Sequence, residues 1–71
     1  MDEVELDEYH AHEALDRTFV SSDQFDTYVC NHPFVLQTPH LKEQAERISL
    51  AMFDLYQAIS NESRNKYENN N

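Results

Sequence analysis

TPHLKEQAERISLAMFDLYQAIS, residues 38–60, decides the fold. Leu41, Ala45, Ile48, Met52, Leu55 and Ile59 recur in steps of four and three, the spacing of one face of an α-helix and of a heptad seam. Thr38 and Pro39 suit an N-cap and first helical position, where a side-chain oxygen takes an orphan amide and proline lacks a hydrogen that would go unused. From Lys42 to Ser60 the stretch holds strong helix formers and no breaker. It predicts a helix over about 39–60.

Upstream, Ala11, Leu15, Thr18, Ser22, Phe25 and Val29 repeat the same steps, with two hydroxyl side chains weakening the stripe. A first helix over about 3–30 follows. Asp2 with Glu5 has the form of a capping box, and Asp7 offers a second start. Asn31-His32-Pro33 ends the helix, since proline pushes its predecessor out of the α region. His32 is expected to reach the last carbonyls of helix one, and a kink is expected between Thr18 and Thr27. With no glycine in 71 residues, hairpin turns of positive φ are disfavoured, and Pro33 and Pro39 carry the punctuation.

The sequence thus predicts an all-α fold. Helices of similar length joined by a connector at 31–38 form an antiparallel two-helix hairpin over 1–60. Phe34 is expected to tuck into the hairpin's end. Residues 61–71 read as a polar disordered tail. So small a core supplies little stability alone, and one cysteine permits no internal disulfide. Leu50, Phe53, Tyr56, Tyr9, Phe19, Val20 and Tyr28 exceed what one seam covers. Dimerisation into a four-helix bundle is therefore expected, with Phe19, Val20, Phe53 and Tyr56 as partner or dimer anchors.

Charge is divided unevenly. Residues 1–30 carry nine acids against Arg17 alone, within a net charge of −9. Glu5, Glu8, Glu13, Asp16, Asp23 and Asp26 are read as an acidic face opposite the apolar stripe, with no interleaved lysine to pair them. Such a face repels nucleic acid and anionic membranes and steers toward basic protein surfaces. Direct nucleic-acid or membrane partners are not expected. The acidic N-terminal stretch lacks the sign of a signal peptide, and no apolar run reaches membrane-spanning length.

Metal and catalytic chemistry find little footing. His10 and His12 stand two apart and do not share a helical face, so they read as acid-paired surface groups, while His40 reads as neutral or exposed. No metal or other cofactor is expected. Cys30 has no oriented His/Asp pair beside it, and exposed carboxylates lack a desolvated pocket. The chain reads as non-enzymatic.

His32-Pro33, Pro39-x-Leu41, Ala45-Glu46 and Leu55-Tyr56-Gln57-Ala58-Ile59 together resemble small phage-encoded helical-hairpin proteins of the host-takeover or counter-defence type, over about fifty residues. The resemblance implies a viral inhibitor or adaptor in the host cytoplasm. It would bind a basic or nucleic-acid-binding host protein through the acidic face and exposed aromatics, in the manner of a nucleic-acid mimic. Two alternatives stand beside it: a self-assembling structural bundle, and a sponge for a cyclic nucleotide or metal. Against the sponge, Arg17, Lys42, Arg47, Arg64 and Lys66 are scattered and form no phosphate-holding cluster.

Overall fold

The computed structural model describes residues 5–68, which are all-helical apart from short joints. Helix α1 spans Glu8–Phe25 and widens into a π-helical turn, Asp26–Cys30. A single turn, α2 (Pro33–Leu36), leads into α3 (Pro39–Ser63), which continues as a second π-helical turn, Arg64–Glu68.

Asp7, the second of the two predicted starts, caps α1 with extended backbone. Its carboxylate accepts the His10 N–H at 3.1 Å, and His10 Nδ1 accepts the Asp7 N–H at 3.3 Å. This is a capping box closed by histidine in place of glutamate. Asp2 itself lies outside the described residues, but residues 5–7 are not helical, so helix one begins at Glu8 and not at about residue 3 as the alternative start would have it. The hydrogen bond from the His10 backbone N–H, first among the causes, holds the Asp7 carboxyl below its ordinary 3.8. A depressed folded pKa adds stability above the unfolded value and loses it as pH falls through the folded one. The first turn of α1 is therefore expected to fray on acidification below about pH 4, read as faster exchange of the His10 amide. Asp7→Ala should abolish that acid step, and an unchanged acid step in the variant would contradict this role.

The joints depart from expectation in informative ways. The His32 ring turns forward instead of back, its Nδ1 accepting the Phe34 N–H at 3.1 Å as the cap of α2. Thr38 holds the cap position of α3, but its hydroxyl donates to the Phe34 carbonyl at 2.6 Å; only its backbone carbonyl serves α3, accepting from Leu41 and Lys42. Phe34 does not tuck in. It is 67% exposed, because one helical turn directs only part of its apolar set inward, and Val35 takes that place. The irregularity in helix one falls at Asp26–Cys30, at the edge of the expected kink, where Asn31 N–H bonds back five residues to Asp26.

Residues 61–68, assigned to the tail by composition, are helical instead. Nothing between Ser60 and Glu68 breaks a helix, and the inner face of this turn has something to meet. Ile59, Ser63 and Tyr67 line one cleft with Leu6, His10 and Ala11. Further along, Met52 and Leu55 meet Arg17, Thr18 and Ser21. At the far end Ser49 donates to Asp26 at 2.7 Å, and the Cys30 sulfur lies 3.8 Å from the Ala45 carbonyl. Contacts between α1 and α3 thus run in opposite chain order.

On α1 the inner row is Ala11, Leu15, Thr18, Ser22 and Phe25, as the periodicity predicts. Thr18 can sit there because its hydroxyl bonds the Ala14 carbonyl at 2.8 Å. After Phe25 the wide turn brings Asp26 and Cys30 inward and leaves Val29 more exposed. On α3 the inner row is Leu41, Ala45, Ser49, Met52, Tyr56, Ile59 and Ser63. Ile48 and Leu55, expected on the seam, remain exposed. An apolar stripe that includes both Ile48/Leu55 and Met52/Tyr56 is wider than one facing helix covers.

The resulting core is thin. Ala45 is the one buried apolar residue among those described, while twelve large apolar side chains are exposed. The chain exposes 5974 Å², against about 4,600 Å² for a compact monomer of 8.4 kDa. Its radius of gyration is 15.9 Å, against about 11 Å for a compact domain of this length.

Candidate functional site

Two flanks run along the line where α1 meets α3, and they differ in chemistry. One is aromatic and acidic. There Phe19 and Ser22 from α1 and Phe53 and Tyr56 from α3 line an open cleft of 230 Å³. The Phe19 and Tyr56 rings lie 6.5 Å apart at 59°, and Phe19 and Phe53 are 59% and 57% exposed. Three of the four anchors named from the sequence thus converge from two helices. Val20, one residue beyond Phe19, points about 100° further round the helix and does not line the cleft.

Of the six carboxylates read as one face, Glu5, Glu8, Asp16 and Asp23 are exposed. Glu8 lies 3.8 Å from His12 Nε2, and Glu13, half-buried, pairs with Arg17 at 3.2 Å. Asp26 does not belong to the outer face. It accepts from Ser49 at 2.7 Å and from the Cys30 thiol at 3.7 Å, facing α3. The spacing already held this: Asp26 stands four residues after Ser22 and eleven after Leu15, both on the inner row. Ser49→Ala removes the closest donor to that carboxylate and is expected to destabilise the fold by about 1–2 kcal/mol in chemical denaturation. An unchanged midpoint would mean that water replaces the hydroxyl at no cost.

The opposite flank is aliphatic. Ile48, Ala51, Leu55 and Ala58 form an exposed row on α3, spaced by three and four. Beside it, Arg17, Thr18 and Ser21 line a cleft with Met52 and Leu55. At the start of α1 a further cleft of 290 Å³, floored by Leu6, Ala11, Ala14 and Ile59, opens on the side of Asp7 and His10.

His10 Nδ1 lies 2.9 Å from the carboxylate of the cap residue Asp7, and His12 Nε2 lies 3.8 Å from Glu8 one turn earlier on its helix. His40 is exposed. Among the described residues no three His, Cys, Asp or Glu side chains are placed to share an ion. The Cys30 thiol is pushed above its usual range by burial and then by the Asp26 carboxylate, which favours the protonated, less nucleophilic form. No helix among the described residues is long and apolar enough to cross a membrane.

These features define an all-helical protein with two chemically distinct exposed flanks. No protein-family model matches the chain, and no curated protein or solved structure matches it.

Proposed function

We propose that the chain is a non-enzymatic binding module, an antiparallel helical hairpin that pairs with a second copy as a four-helix bundle and engages a basic, nucleic-acid-binding protein as inhibitor or adaptor. The observation that carries this reading is the single buried apolar residue set against twelve exposed large ones among the described residues. A chain so built gains its stability by covering apolar surface on another molecule. The excess over a compact monomer, roughly 1,400 Å² when about 4,600 Å² is expected, exceeds the roughly 800 Å² that each partner of a standard interface buries.

The second copy belongs on the aliphatic flank. A two-fold interface sets one patch against itself. On the Ile48/Leu55 row that brings aliphatic surface onto aliphatic surface, whereas on the other flank it would oppose Asp16 and Asp23 with their own copies. The acidic, aromatic flank is left for a partner of opposite charge. In the setting that the phage-type resemblance implies, that partner is a bacterial protein with a nucleic-acid groove.

Affinity capture from a bacterial lysate at low and high salt tests this reading. A basic protein retained in stoichiometric amount at low salt and released at high salt supports it; retention of acidic or neutral proteins, insensitive to salt, contradicts it.

A further inference from the structure

We infer that the cleft between Phe19, Ser22, Phe53 and Tyr56 receives an arginine side chain of the basic partner; the inference rests on the basic-partner reading and names the group that reading leaves open. The cleft walls are three aromatic rings from two helices, with Phe19 and Phe53 more than half exposed. An aromatic face carries negative quadrupolar charge, so a planar cation laid against it is attracted, and arginine does this more often than lysine. A flat guanidinium on a long apolar stem also matches an open slot of 230 Å³ better than a helix does.

The surroundings are anionic. Asp16 stands three residues before Phe19 and Asp23 four after it, so both share its side of α1, and both are exposed. Neither has a cationic partner among the described residues. The chain's own cations nearby are occupied elsewhere. Arg17 is paired with Glu13 and lines the opposite flank, and Arg47 is bonded to Glu43 on its own helix. Among the described residues no cation is paired with the acids beside the slot. A second copy brings the same acids and is repelled, so the occupant that the charge selects is a foreign cation.

The test is an NMR titration of the full chain at low salt with three peptide amides: tetra-arginine, tetra-lysine and tetra-citrulline. Citrulline keeps the shape of arginine without its charge. Tetra-arginine is expected to shift the ring resonances of Phe19, Phe53 and Tyr56, tetra-lysine to shift them less, and tetra-citrulline not at all. Phe53→Leu keeps an apolar side chain and removes the ring, and should weaken tetra-arginine binding by about 2- to 30-fold. If the arginine peptide binds but moves only acidic residues, or if Phe53→Leu binds equally well, the cleft assignment fails and the basic-partner reading stands. Equal binding of the citrulline peptide also overturns the assignment. No binding of either cationic peptide overturns both. Ring shifts that follow protein concentration without peptide would give the cleft to a second copy and overturn the assignment.

Discussion

Replacing Ile48 and Leu55 together by aspartate is expected to convert the proposed dimer of 8.4 kDa chains into monomers and to remove most of their helicity at micromolar concentration. Both side chains are exposed in the single chain, at 44% and 54%, so their loss creates no cavity there. Within one molecule the exchange is close to neutral, since surface substitutions commonly fall within about 0.5 kcal/mol. Against a second copy it is not. Each buried aliphatic side chain contributes about 1.5–3 kcal/mol, and symmetry counts each position twice. The four new carboxylates would also face one another. A loss of several kcal/mol raises the dissociation constant by well over 100-fold. Sedimentation of the variant beside the parent chain reads this directly. A variant that keeps both its mass and its helicity would place the second copy on another face.

The second large effect concerns charge. Reversing Glu13, Asp16 and Asp23 to lysine adds two charges at each site and takes the net charge from −9 to −3. Steering by complementary charge raises association rates by about 10- to 1,000-fold, so at low salt the reversed variant should associate with a basic partner slower by a comparable factor. At high salt the two proteins should converge. The fold should survive, because Asp16 and Asp23 are exposed and the Glu13–Arg17 pair, a surface pair one helical turn apart whose arginine is exposed, is worth only about 0.3–0.5 kcal/mol. Asp26 is left intact for a physical reason: it accepts the Ser49 hydroxyl, and reversing it would mix a folding defect with a binding one. Stopped-flow association rates at two ionic strengths decide the matter. Equal rates at low salt would reduce the carboxylates to a solubilising surface.

The parts of the structure that rest on local rules are legible in the sequence. Steps of three and four place both long helices, Asp7 is one of the two caps the sequence offers for α1, and Pro39 opens α3. The inner row of α1 from Ala11 to Phe25 follows from periodicity alone. What escaped depends on which neighbour is present. Ile48 and Ser49, like Leu55 and Tyr56, sit side by side at the margin of one wide stripe, and only the position of α1 decides which of each pair turns inward. Asp26 was legible by spacing from Ser22 and Leu15, but its charge suggested the outer face; the hydroxyl of Ser49, distant in sequence, draws it in. Composition misled at residues 61–68, where a polar sequence without a breaker stays helical because Ile59, Ser63 and Tyr67 border a cleft with the start of α1. Phe19, Phe53 and Tyr56 could be nominated individually as exposed aromatics. That they line one cleft, and that Val20 does not, required the relative placement of the two helices.

In the proposed assembly the core is incomplete until a second copy covers the Ile48/Leu55 flank. Mass and helicity of the unmodified protein, followed by sedimentation equilibrium and circular dichroism over one dilution series, test that claim most directly. Twice the 8.4 kDa chain mass is expected at high concentration, with mass and helicity falling together on dilution. A monomer that keeps full helicity and unfolds cooperatively at every concentration would contradict it.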